Sequence, residues 1–417
     1  MADRDAARRS VEAVWRIESA RLIAGLVRFT RDLDLAEELA QDALVAALEH
    51  WPGDGVPDRP GAWLMATAKR RAIDRGRRQR LLADKQAQLV DELAVQAAPT
   101  PDEAGEDFGD PLLRLLFLAC HPILPMDARL ALTLRLLGGL ETAEIARAFL
   151  VPEATLAQRI VRAKKTLAQA RVPFEELTRA QAIERLDAVL AVLYLIFNEG
   201  YSATAGEDLL RPALCHEALR LARILVALLP RASEAHGLLA LLELQASRLS
   251  ARTDKSGRPI LLAEQDRSRW DRLLIRRGLA SLTQAEALGG AAGSYALQAA
   301  IAACHARAAR HEDTDWLRIA ALYQRLVDLT GSPVVELNRI VAVSMAQGPA
   351  SALPLLDALS GEPSLRAYHL LPAVRGDLLL RLQRPADAAQ AFRAAAALTH
   401  NARERELLLG RADRCQA

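Results

Sequence analysis

Leu156, Ile160, Ala163 and Leu167 recur at helical spacing, so on a helix they form one apolar stripe. Thr155, Gln158, Arg159, Arg162 and Lys165 then fall on the opposite side. Just upstream, Ile145 and Phe149 give a shorter segment its own apolar pair. Pro152 suits the first position of the second helix, where no intrahelical N–H bond is needed. The stretch TAEIARAFLVPEATLAQRIVRAKKTL, residues 142–167, is therefore predicted as two helices about a turn. One face of the second helix packs, and the other is free to read a partner.

The helical period runs through most of the chain. Residues 11–31, 35–51 and 63–82 read as helices, the last two separated by the loop WPGDGVPDRPG. From about residue 178 onward, helical segments are broken by FNEGYSATAGED, DKSGRP, ALGGAAGS and LTGSP, the pattern of stacked helical hairpins. In the segment AYHLLPAVRGDLLLRLQRPADAAQAFRAAAALTHN, Gly376, Ala388, Phe392 and Ala395 fall at the small, small, aromatic and small positions of a tetratricopeptide repeat. Pro372 and His400 depart from that pattern, and the upstream repeats are degenerate, so the array is predicted as tetratricopeptide-like only.

Composition agrees with the periodicity. Aromatic residues make up only 4% while Leu, Ala, Arg and Glu dominate, so the predicted fold class is all-α. A length of 417 residues exceeds one ordinary core, and the expected division is 1–96, a linker at 97–111, 112–177 and 178–417. The linker, AAPTPDEAGEDFGDP, is acidic and poor in large apolar residues. The charged N-terminus lacks a signal-peptide core, and no run of about 18 apolar residues occurs, so a cytoplasmic protein without a membrane partner is expected. Cys120, Cys215, Cys304 and Cys415 lack metal-ligand spacing and read as small buried side chains, and no metal or cofactor is expected.

Net charge, +2, hides local asymmetry. KRRAIDRGRRQR, residues 69–80, sets seven basic residues against Asp74, with Arg71, Arg75 and Arg78 on one face. Such a concentration of like charge predicts a polyanionic partner. The preceding helix carries Asp32, Asp34, Glu37, Glu38 and Asp42 around Gln41, a surface expected to face a basic protein. In the second helix of the 142–167 stretch, Arg, Gln and Thr suit base edges, whereas Lys164 and Lys165 suit phosphates.

Together, LAEELAQDALVAALEHW, GAWLMATAKRRAIDRGRR and LTLRLLGGLETAEIARAFLVPEATLAQRIVRAKKTL closely resemble regions 2 and 4 of extracytoplasmic-function sigma factors of the sigma-70 class. The motifs YLIFNEGYSAT, LLALLELQASR, AEQDRSRWD, LQAAIAACHA and SPVVELNRIVAV resemble a subgroup with a long helical extension. The resemblance implies that Glu37, Glu38, Gln41 and Asp42 dock on core RNA polymerase. It also implies that Arg70, Arg71, Asp74, Arg75 and Arg78 contact the minus-10 element, and that the loop 52–60 holds an extruded base. Thr155, Gln158, Arg159, Arg162 and Lys165 then contact the minus-35 element of promoter DNA. Arg70 stands where many members have Asn, and Leu150 and Pro152 where many have Gly and Ser, so promoter sequence does not transfer.

The implied protein is a non-enzymatic alternative sigma factor whose extension takes a protein or small-ligand input. One rival is a helix-turn-helix activator with a repeat-type sensor, which needs only one DNA reader. Another is a helical scaffold enzyme using Asp266, Asp271 and His305, which lacks a nucleophile, base and oxyanion set. The pairs Cys120–His121 and Cys304–His305 point their side chains about 100° apart on a helix, which disfavours catalysis or metal binding. Glu199, Tyr201, Asp266, Arg267, Trp270 and Asp271 are read either as lining a groove or as tying helices together.

Overall fold

The computed structural model describes residues 2–87, 111–138, 140–149, 151–170, 172, 179–203, 205–206 and 209–415. Most of the predicted linker, Leu150 and the side chain of Arg78 lie outside the described residues. Two compact units divide the chain at Met1–Val192 and Leu193–Ala417.

The first unit contains α1 (Ala2–Thr30), α2 (Leu33–Asp54), α3 (Pro60–Ala87), α4 (Pro111–Ala119), α5 (Met126–Leu136), α6 (Thr142–Phe149) and α7 (Glu153–Gln169). Asp32 starts α2 by accepting the Leu35 N–H at 3.0 Å, satisfying one orphan donor of the first turn. Along α2, Ala36, Leu39, Ala40, Ala43, Ala47 and Trp51 are buried against α1 and α3, which contribute Leu22, Leu26, Leu64 and Ala68. The helix continues through Pro52 to Asp54, three residues into the predicted loop, and ends at Gly55 with φ +82. A proline in the last turn forfeits one hydrogen bond without blocking the helix behind it.

α4 packs on α1, and α5 on α7. On α7 the buried residues are Leu156, Ile160, Ala163 and Leu167, the stripe predicted from spacing. Pro152 occupies the N-cap, one position before the predicted N1, with extended ψ 138.

The second unit is a succession of helices, mostly packed on their sequence neighbours, that begins within α8 (Arg179–Tyr201) and continues with α9 (Pro212–Leu228), α10 (Ser233–Ala246), α11 (Arg272–Ala287), α12 (Ser294–Arg307) and α13 (Trp316–Thr330). α14 (Pro333–Gln347), α15 (Pro349–Leu359), α16 (Leu370–Arg381), α17 (Pro385–Leu398) and α18 (Ala402–Arg414) complete it. α10 is buried on nearly every side between α9, α11 and α12, as a helix apolar all round must be. The α16–α17 hairpin depends on a close approach: a Cβ at Gly376 would come within 2.6 Å of the Phe392 ring. Ala388, Phe392 and Ala395 beside it are fully buried.

Among the described residues the all-α expectation holds apart from an isolated bridge between Thr253 and Pro259 and a two-residue parallel pair, β1 (Ala205–Gly206) with β2 (His400–Asn401). Buried Asn401 secures it, donating to the Ala203 carbonyl at 3.1 Å and capping α18 through the Arg403 and Glu404 N–H groups. No alternating pattern announces so short a pair, which is set by where the ends of this unit meet.

Candidate functional site

Three helices of the first unit carry the charged residues singled out in the sequence. On α7, Thr155, Gln158, Arg162 and Lys165 are exposed. Arg159 is half-buried and ion-paired to Asp127 of α5 at 3.0 Å. Four of the five polar residues are thus open to a partner, and the fifth must exchange an internal one. Exposed ion pairs are weak and screened by salt, so such an exchange is accessible.

On α3, Arg70, Asp74, Arg75 and Arg77 are exposed and Arg71 is half-buried. Lys69 lies over the Phe29 ring, 5.7 Å from its centroid. This basic face is partly neutralised by α2: Arg71 reaches Asp42 at 3.2 Å and Arg75 reaches Glu38 at 2.5 Å. Its hydrogen bond to Glu38 is the main reason the Arg75 guanidinium is held above its ordinary pKa. In the free chain, neighbouring helices already supply cations to the acidic surface expected to face a basic protein.

Glu37 is the extreme case. Only 12% of its side chain is exposed, and it is held by Arg135 Nε of α5 at 3.0 Å and by Lys164 Nζ of α7 at 2.7 Å. Lys164, itself 13% exposed, also donates to Asp34 Oδ1 at 2.9 Å. Lys164 is thus turned onto α2 rather than toward a phosphate. Burial, the largest influence on its ammonium, lowers the pKa, but Glu37 and Asp34 together raise it above the ordinary 10.5. Gln41 is exposed beside this cluster. Sequence reasoning missed the contact because the partners are 98 and 130 residues apart.

Of the two tryptophans near the loop, Trp51 is buried and Trp63 half-buried, with ring centroids 5.5 Å apart and edge-on. Both belong to the packing between α2 and α3.

The residues of the enzyme reading have structural occupations. Asp266 accepts the Ser268 N–H, and Asp271 caps α11 through the Leu273 and Leu274 N–H groups. Arg267 is buried and donates to the carbonyls of His305 and Ala308 at 2.6 and 2.7 Å. Burial, reinforced by Arg248, Arg267 and His311, pushes His305 down to about 3. Cys120 and Cys215 are buried, and burial pushes each thiol up to about 12, far from a reactive thiolate. Cys304 is buried as predicted, whereas Cys415 is half-buried. Glu199 pairs with Arg211, while Tyr201 accepts from Arg248 Nη2 at 2.6 Å. Glu199, Asp266, Arg267 and Asp271 thus tie elements together, by caps and carbonyl contacts more than by ion pairs, whereas Tyr201 also lines a cavity.

These surfaces coincide with recognised domains. Residues 17–81 match the model of Sigma-70 region 2, and residues 114–167 match Sigma-70, region 4. The chain belongs to the sigma-70 family, as an extracytoplasmic-function-like member. Residues 185–286 of this sigma factor match a family of unknown function. It is also 46% identical over 384 residues to an uncharacterized protein of Rhizobium meliloti (strain 1021), across 92% of this chain and 90% of that protein. The helical second unit is therefore shared along with the sigma domains. A sigma factor acts on transcription initiation with core RNA polymerase and promoter DNA as partners. No helix among the described residues is long and apolar enough to cross a membrane.

Proposed function

We propose that this sigma factor directs core RNA polymerase to a specific set of promoters through two DNA contacts, and that its helical C-terminal region modulates the outcome. Residues 1–96 and 112–177 act as the region 2 and region 4 domains, joined by 97–111, with 178–417 as the control module. Glu37, Glu38, Gln41 and Asp42 dock on polymerase. Arg70, Arg71, Asp74, Arg75 and Arg78 contact the minus-10 element. Thr155, Gln158, Arg159, Arg162 and Lys165 read the minus-35 element.

The observation that carries this reading is the division of α7 into a buried apolar stripe and a polar face on which Thr155, Gln158, Arg162 and Lys165 stand exposed. Arg and Gln forks match acceptor and donor edges in the major groove, and Lys165 supplies charge for phosphate. The contact of Arg135 and Lys164 with Glu37 favours a closed arrangement that competes with polymerase docking. Opening α7 from α2 then frees Glu37 of the docking surface, while the reading face of α7 is exposed in either arrangement.

Run-off transcription with purified core polymerase and genomic fragments tests the reading. Promoter-specific transcripts without any other sigma factor are expected, and their absence with active polymerase overturns it. The pair Glu38→Lys/Gln41→Ala should abolish core binding with the fold intact. Arg159→Ala should spare core binding and weaken minus-35 recognition by about 1–3 kcal/mol.

A further inference from the structure

Within the second unit, α8, α10, α12, α13 and α14 line a partly open cavity of about 190 Å³. Its wall contains no Asp, Glu, Lys or Arg among the described residues. Four amides, Asn198, Gln245, Gln298 and Asn338, contribute hydrogen-bonding groups from four different helices. The remaining surface is aliphatic or aromatic, including Leu241, Ile301, Leu326 and Val335.

The polar groups are incompletely used by the protein. Gln245 Oε1 is buried with no hydrogen-bond partner, an arrangement that costs free energy unless something in the cavity donates to it. The side chain of Asn198 makes no hydrogen bond within the described residues. The phenols, by contrast, are held in place. Tyr194 donates to Gln298 Oε1 at 3.0 Å and meets the Tyr295 ring edge-on at 5.5 Å. The Tyr201 ring stacks on Phe197, with the Arg252 guanidinium 3.7 Å from its centroid. Tyr323 is pushed up to about 12, chiefly by burial, so it remains a neutral donor at physiological pH.

An apolar cavity of about 150 Å³ accommodates benzene, so this volume suits one ring with a small substituent. A cation would be desolvated with no carboxylate in the wall and with the Arg248 and Arg252 guanidiniums against Tyr201. An anion would have those guanidiniums only behind the Tyr201 ring and no ion-pair partner in the wall itself. Amide side chains pair best with a group offering both donor and acceptor. We propose that the cavity binds a small uncharged molecule built on one aromatic or heteroaromatic ring and carrying an amide-like donor–acceptor edge. The site provides a ligand input within the sigma factor's own chain. Binding is measured without polymerase or DNA, so its failure is separable from failure of the sigma-factor reading.

Calorimetric titration of the full chain with benzamide, benzoate and benzamidinium, three near-isosteres of different charge, tests the proposal. Benzamide is expected to bind with a Kd on the order of 1 mM, and each ion at least about tenfold more weakly. Gln245→Leu should weaken benzamide by about tenfold. Asn198→Leu gives an independent second variant should Gln245→Leu fail to fold. Absence of saturable benzamide binding, equal binding of all three probes, or unchanged binding by a folded variant would each overturn the proposal.

Discussion

Removing the Lys164 ammonium, as in Lys164→Ala, separates closure from docking. The amine lies 2.7 Å from Glu37 Oε2 and 2.9 Å from Asp34 Oδ1, while Arg135 remains 3.0 Å from the other Glu37 oxygen. Glu37 is therefore weakened but not orphaned. Orphaning a buried ion costs about 3–5 kcal/mol, and an exposed pair contributes about 0–1, so a loss of about 1–2 kcal/mol is expected for this intermediate case. That lowers the closed population relative to the open one by about 5- to 30-fold. If polymerase binds only the open arrangement, its apparent affinity rises by up to the same factor. Because the Lys164 pKa lies above the ordinary 10.5, this contribution is complete at neutral pH and is lost only as pH rises through the raised value. Fluorescence titration of labelled protein with core polymerase measures the effect, with exposed Lys165→Ala as a control expected to leave affinity unchanged. Equal or weaker binding by a folded Lys164→Ala chain would refute the competition.

Three further outcomes follow from the packing. Gly376→Ala gains about 1 kcal/mol of helix propensity but drives a methyl into Phe392, whose ring also lies 4.2 Å from the Arg411 guanidinium; a net loss of about 1–2 kcal/mol should appear as a lower calorimetric Tm. His305, held down at about 3 against an ordinary 6.5, takes up its proton only on unfolding between those values, so its contribution makes stability fall as pH drops from 6.5 toward 3; urea unfolding of His305→Asn should show a shallower fall. At pH 8 a thiol-specific reagent should label native protein at half-buried Cys415, with Cys120 and Cys215 reacting only after denaturation; rapid native labelling of either would contradict their burial.

Local chemistry was the legible part of this chain. The spacing of Leu156, Ile160, Ala163 and Leu167 assigned both faces of α7, because a helix converts sequence interval directly into angle. Asp32, read only as part of an acidic surface, instead starts α2 by accepting the Leu35 N–H. The close fit of Gly376 on Phe392 was visible as a small–aromatic pattern. The end of α2 was misplaced because Pro52 breaks helices in general but is tolerated in a final turn.

Charge was read less well, since the sign of a surface is local but its partner is not. The acidic residues of α2 and the basic residues of α3 were each assigned an outside partner, and their pairing within the unit, Asp42 with Arg71 and Glu38 with Arg75, went unread. Lys164 looked like a phosphate ligand until folding brought Glu37 and Asp34 beneath it. The neutral cavity likewise draws on five helices; Tyr201 was read as a possible groove residue, but the amides that join it there come from distant segments. Sequence alone determined the helices, their apolar faces and the order of the sigma domains, because periodicity, capping and motif spacing act over a few residues. Tertiary structure alone decided which charges neutralise one another and which polar atoms remain unpaired, because those depend on distances between side chains that the chain does not keep close.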